Sequence, residues 1–307
     1  MTTAIEIEND PKYVRILDYG FVGLVEHSGS DERICRSARV SYGEGTKSVR
    51  ENRGLIRYLM RHQHTSPFEM GDVVLHLKIP IFVMRQLVRH RTSSLNEYSA
   101  RYSVLSDEMY IPSLENIKPQ SKANNQGRAG ELSAFDATIA QQTIKDSTTA
   151  SYAAYQELLG NAEYWSDEFP EEGIARELAR TVMPVAGYTE LYWKQNLLNL
   201  FKTLKLREDN HAQWEIQECA RAIYKIVQPL FPSACEAYED YMRDAVSLSS
   251  MERDLLRDVI KTSNENQLSF NGAYDKLVQE ADGENKLIED YRLSKRELIE
   301  FKQTLGR

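Results

Sequence analysis

The stretch from Val73 to Arg101 constrains this chain more than any other. Val73, Leu75, Leu77 and Ile79 alternate with polar neighbours, the period of a strand with one face against a core. Pro80 then removes a backbone N–H and fixes φ, so the ladder ends there and a helix can start. Beyond that proline the spacing predicts a short helix through about His90. From Arg85 to Arg101 the sequence is RQLVRHRTSSLNEYSAR, four arginines and a histidine against one acid. Any fold of this chain must bury the strand and deliver those guanidinium groups just past its end.

That basic run stands in an acidic protein. The 307 residues carry 38 Lys+Arg against 46 Asp+Glu, a formal net charge of −8. Such a surface is a poor coat for DNA or an anionic membrane, so an anionic ligand must be met by a local cluster. A hydrophobic share of 41% is enough for a sizeable core and argues against wholesale disorder. Cys35, Cys219 and Cys235 are odd in number and form no C-x-x-C, so neither a disulfide framework nor a thiolate zinc site is expected. The start, MTTAIEIENDPKY, has no apolar signal region, and the apolar stretch Val73–Val88 is interrupted by His76, Lys78, Pro80 and Arg85. The expectation is a soluble, cytoplasmic protein with no membrane partner.

Local signals predict a strand pair turning near Asp18–Gly20, a helix over Asp31–Val40, and a polar loop with Gly43 and Gly45. Ser48 and Glu51 form a capping box ahead of a helix with Leu55, Ile56, Leu59 and Met60 on its apolar face; Ser66-Pro67-Phe68-Glu69 repeats the signature. After the helix from Pro80, Thr92–Asn96 is expected as a loop and SARYSVL as strand. Lys118–Glu131 has the composition of a mobile loop. Helices are expected over Phe135–Leu159, Pro170–Val182, Asn196–Leu206, His211–Val227 and Pro232–Arg243, with a strand at AGYTELYW. From Ser249 the chain is charged and helical, with capping boxes Ser249/Glu252 and Ser294/Glu297 around the apolar pairs Leu255/Leu256, Val259/Ile260 and Leu298/Ile299. The division is therefore 1–248 as one domain and 249–307 as an appended helical extension.

On the helix from Pro80, Arg85 and Arg89 share a face at i,i+4, as do Gln86 and His90, and Arg91 falls at its end. An extended backbone would put Glu97, Ser99 and Arg101 on one side. Arginine suits phosphate or carboxylate because its planar fork binds in bidentate fashion and stays charged when desolvated. A solvated basic face or a set of structural ion pairs is the plain alternative. Gln86, His90, Asn96 and Ser99, interleaved among the arginines, weigh against it. Glycine-based phosphate loops are absent, so phosphates would be held by side chains. Two rivals are weaker. His62-x-His64 with His76 or His90 resembles a metal set, but the arginines oppose a divalent cation. Tyr98 and Tyr102 offer stacking platforms for RNA or single-stranded DNA, but the patch is short and no basic stripe continues it.

The run Arg89-His90-Arg91-x-x-Ser94-x-Asn96-x-x-Ser99-x-Arg101 resembles the R-H-R-x-x-S-x-N-x-x-S-x-R signature of flavin-dependent thymidylate synthases. The likeness extends to His64-Thr65-Ser66-Pro67-Phe68-Glu69, to Arg180 in ELARTVMP and to LKLREDNHAQWEI around Arg207, over roughly Asp18 to Asp244. It implies an α+β fold with a mixed sheet packed with helices, and a homotetramer whose sites are shared between subunits. It implies FAD as cofactor, NADPH as its reductant, methylenetetrahydrofolate as carbon donor and conversion of dUMP to dTMP, with no nucleic acid partner. His64, Ser66, Arg89, His90, Arg91, Glu97, Asn196 and Lys202 would bind FAD. Gln86, Arg89, Glu97, Ser99, Arg101, Arg180 and Arg207 would hold dUMP, with Arg207 as the catalytic residue that stabilises the ring anion. No cysteine nucleophile and no metal are implied. Leu198 departs from the pattern, standing where many relatives place a polar contact to FAD, and Lys202 stands where asparagine or histidine is common.

Overall fold

The structure is a computed structural model and describes residues 10–40, 52–122, 127–161, 163–164 and 172–304. The expected Ser48/Glu51 box, the Gly43–Gly45 loop and Pro170 lie outside the described residues. The chain divides into two compact units, residues 1–243 and 244–307. Ser249, where the extension was expected to begin, caps the first long helix of the second unit.

Alternating hydrophobicity builds the first unit. Strands β1 (Tyr13–Ile16), β2 (Gly20–Ser28), β3 (Asp72–Pro80), β4 (Ser94–Glu97) and β5 (Tyr188–Asn196) form one sheet in the order β1-β2-β3-β5-β4. The α+β class holds, while the sheet, expected as mixed, is antiparallel at every described pairing. Val73, Leu75, Leu77 and Ile79 are at most 1% exposed, and Leu191 and Trp193 of β5 join them on the core face. Helices α1 (Asp31–Val40), α2 (Asn52–Arg61), α3 (Ile81–Leu87), α6 (Leu197–Arg207), α7 (Trp214–Val227) and α8 (Pro232–Tyr238) join that core, and α4 (Ala134–Leu158) and α5 (Arg176–Ala179) stand outside it. Among them, the buried Phe201 and Tyr238 stack with centroids 4.7 Å apart. Each such side chain removed from water contributes about 1.5–3 kcal/mol.

Several expected boundaries move. The helix from Pro80 ends at Leu87 rather than near His90, because the chain tightens into i→i+3 bonds (His90 N–H to Leu87 O, 3.0 Å). It must then reach β4, which pairs with β5 from Ser94↔Lys194 to Glu97↔Leu191. The loop expected at Thr92–Asn96 is thus largely strand. The strand expected at SARYSVL is instead turn, closed by Tyr102 N–H to Ser99 O. Sheet pairing outweighs the weak strand propensity of Ser-Leu-Asn-Glu. Of the helix expected over Pro170–Val182, α5 and a 3-10 turn at Arg180–Val182 are described. The last turn of the helix expected to reach Arg243 widens into a π-helix at Glu239–Arg243.

The expected mobile loop is anchored at Arg128, one of its described residues. Arg128 donates to Asn116 O and, at 2.6 Å, to Glu215, which is 3% exposed and also accepts from Tyr110 Oη at 2.9 Å.

The second unit comprises α9 (Ser250–Asn266), α10 (Phe270–Glu280), α11 (Glu284–Tyr291) and α12 (Lys295–Thr304) around Leu255, Val259, Tyr274, Leu287, Leu298 and Phe301. Both expected capping boxes form. Of the apolar pairs, Leu255, Val259 and Leu298 are buried, and Ile260 and Ile299 stay about half exposed. No helix among the described residues is long and apolar enough to cross a membrane.

Candidate active site

Pro80 closes β3 opposite Tyr188, and α3 leaves at once. Main-chain bonds from Ile81 N–H to Gly187 O and Phe82 N–H to Val185 O pin the start of that helix. Val83 and Leu87 bury its inner side, which leaves Arg85 exposed and Gln86 half-buried. Past its end, Ser93 Oγ donates to His90 O, and Gln195 Nε2 donates to Thr92 O at 3.2 Å. Gln195 is 2% exposed and accepts in turn from Thr203 of α6. The RHR segment is therefore strapped beside α6.

The helical face expected for Arg85 with Arg89 is not formed, since α3 stops before Arg89. Gln86 and His90 nevertheless converge on one partner. Arg207, in the last turn of α6, donates through Nε to His90 Nε2 at 2.9 Å and through Nη2 to Gln86 O at 3.0 Å. A histidine nitrogen that accepts from a guanidinium is unprotonated, which places the proton of the neutral ring on Nδ1. Burial first, and the charge of Arg207 second, hold His90 below its ordinary value; burial lowers Arg207 as well. Gln86 Nε2 donates to Gln213 Oε1 at 2.6 Å.

A cavity of about 530 Å³ opens between α3, the end of β4 and the 180–189 segment. Glu97, Ser99 and Arg180 line it together with Arg85, Tyr188 and Thr189. Thr189, 6% exposed, donates to Glu97 Oε1 at 2.7 Å and so fixes that carboxylate. Gln86, Arg101 and Arg207 are not among its walls. Arg101 pairs instead with Glu177 at 3.3 Å, and its expected alternation with Glu97 and Ser99 is lost to the turn after β4. Sequence reasoning missed Thr189 and Gln213, whose partners lie 92 and 127 residues away, and singled out Arg85 without giving it a ligand.

Of the residues expected to hold FAD, Asn196, Lys202, Ser66 and His90 are tied to α6. Asn196 caps the helix by accepting from Asn199 N–H, Lys202 stands exposed on it, and the 3-10 turn opened by Ser66 packs against it. His64 precedes that turn, its ring 5.9 Å from that of Tyr58. Arg89, Arg91 and Lys202 are exposed and have no carboxylate partner among the described residues. Uncommitted cations beside hydrogen-bonding Ser, His and Asn fit a diphosphate-bearing cofactor. Leu198 is 3% exposed and belongs to the core, so it offers nothing to a ligand.

The three cysteines are buried, with burial raising each thiol and pushing Cys219 up to about 12. None is a thiolate at neutral pH. Among the described residues no group of His, Cys, Asp and Glu is arranged to hold a metal ion.

Comparison with known proteins gives concordant results. Residues 23–233 match the family model described as thymidylate synthase complementing protein. A flavin-dependent thymidylate synthase of Ruegeria pomeroyi is 43% identical over 292 residues, 95% of this chain and 87% of that relative. One from Thermus thermophilus is 47% identical over 250 residues, covering 81% and 87%. Among solved structures, the UMP/dUMP methylase PolB from Streptomyces cacaoi bound with 5-Br UMP is similar with a TM-score of 0.64 and 34% identity. That match covers 76% of this chain and 99% of that one.

Proposed function

This chain belongs to the flavin-dependent thymidylate synthase family, and from that premise we propose how its own residues serve the methylation of dUMP to dTMP. The observations that carry the reading are the half-buried junction of Arg207, His90 and Gln86 O and the cavity lined by Glu97, Ser99 and Arg180. The proposed flavin is FAD, with NADPH as reductant and methylenetetrahydrofolate as carbon donor, in a cytoplasmic homotetramer.

When bound, the flavin supplies the hydride chemistry. Arg89, Arg91 and Lys202 would meet its diphosphate, His64, Ser66, His90 and Asn196 would hydrogen-bond to it, and Glu97 would accept from it. Ser99, Arg101 and Arg180 hold dUMP, and Glu97 accepts from its sugar with the oxygen that Thr189 leaves free. Arg89 and Gln86 complete the nucleotide's surroundings.

Arg207 does the activating work. Loss of its ring N–H proton makes the pyrimidine electron-rich at the carbon that accepts the methylene. A fixed guanidinium beside the ring oxygens favours that ionised form. Two N–H groups of Arg207 are held by His90 and Gln86 O, so the fork is oriented before substrate arrives and pays little reorganisation on reaction. With all three thiols raised by burial, the chain has no counterpart to a cysteine attack on the ring.

The test is the absorption spectrum of purified protein before and after NADPH, with dUMP present. A flavin spectrum that bleaches, with dTMP formed once methylenetetrahydrofolate is added, is expected. A colourless protein that refuses added FAD and ignores dUMP overturns the reading.

A further inference from the structure

We propose that Arg85 is the residue that makes the cavity selective for a phosphorylated nucleoside, receiving the 5′-phosphate of dUMP together with Arg180 and Ser99. The inference rests on the reading that this cavity takes dUMP, and adds a residue which that reading leaves without a role.

Charge decides it. The ionisable carboxylate and guanidinium groups lining the cavity are Glu97, Arg180 and Arg85. Within the lining, without Arg85, the guanidinium of Arg180 would be offset by the carboxylate of Glu97, and Arg101, outside the lining, brings its own counter-charge in Glu177. Glu97 cannot turn away cheaply, because Thr189 donates to it at 2.7 Å. With Arg85 present the lining carries net positive charge, and Ser99 adds a hydroxyl donor.

Arg85 is also kept available. In this acidic chain guanidiniums commonly find carboxylates: Arg57 with Asp240 at 2.6 Å, Arg128 with Glu215 at 2.6 Å, and Arg101 with Glu177 at 3.3 Å. Arg85 is exposed and has no such partner among the described residues. Its position is nonetheless fixed. Val83 and Leu87 anchor the inner face of α3, and the bonds to Val185 O and Gly187 O tie the helix to the 183–185 segment that also lines the cavity. An uncommitted guanidinium on a fixed support is suited to bidentate capture of phosphate.

The test compares dUMP with deoxyuridine, which lacks the phosphate, on the flavin-loaded enzyme carrying Arg85→Ala or Arg85→Lys. Arg85→Ala is expected to weaken dUMP binding by about tenfold or more while deoxyuridine binding, flavin content and melting temperature stay the same. Arg85→Lys is expected to recover part of the loss, and inorganic phosphate is expected to compete less well with dUMP in Arg85→Ala than in the parent. Equal weakening of nucleotide and nucleoside, or unchanged dUMP affinity, overturns the assignment. Failure of the parent enzyme itself to bind dUMP strikes the underlying reading instead.

Discussion

Arg207 is held at one end by an imidazole and at the other by a main-chain oxygen, and the two supports answer differently to pH. The carbonyl of Gln86 accepts at any pH, whereas His90 Nε2 accepts only while the ring is neutral. Because burial and Arg207 depress the folded value of His90, its contribution to stability is complete above the unfolded value of about 6.5 and is lost as pH falls through the folded value. Melting temperature is therefore expected to drop between pH 6.5 and 5 more steeply in the parent than in His90→Gln, which accepts without titrating. Parallel profiles would remove His90 from this role. Arg207→Ala is expected to retain FAD by absorbance yet form no measurable dTMP. Thr189→Val, which frees Glu97 to turn, is expected to raise the KM for dUMP several-fold, with Thr189→Ser restoring it. Steady-state kinetics with dUMP varied reads that split.

At the scale of elements, the buried Glu215 ties three segments together through Arg128, Tyr110 and α7. Removing Arg128 leaves a carboxylate at 3% exposure with one hydroxyl for company, so Arg128→Ala is expected to cost about 3 kcal/mol in denaturant unfolding. The 118–131 segment should also become a preferred site of limited proteolysis. Nothing in KPQSKANNQGRAGE announces this anchor, since the partner lies 87 residues on and polar composition reads alike in tethered and untethered loops. What was legible had local causes. The alternation of β3, the stop at Pro80 and the boxes at Ser249 and Ser294 are each written within a few residues. The arginine run reads locally as a cluster suited to an anionic ligand, and the family resemblance is what proposes which ligand. The partner of each arginine was beyond reach: β4 is a strand because β5 accepts it, and that pairing turns Ser99 toward the cavity while Arg101 meets Glu177.

For the whole molecule, two compact units with separate cores imply separable stability. Phe301 is 1% exposed among Leu255, Leu287 and Leu298, so Phe301→Ala is expected to remove about 3–5 kcal/mol from the second unit. Scanning calorimetry should then show a new low-temperature transition, with the flavin-sensitive transition unmoved; a single shifted transition would contradict two units. The first unit carries its own constraint in Pro80. A residue with no amide hydrogen, seated at the last rung of β3, acts as a zero mark from which angular position along α3 is counted. One inserted or deleted residue between Pro80 and Arg85 would rotate everything downstream by about 100°, moving the guanidinium to the half-buried place that Gln86 or Met84 holds now. Length in this short span is therefore less negotiable than the identity of most of its letters.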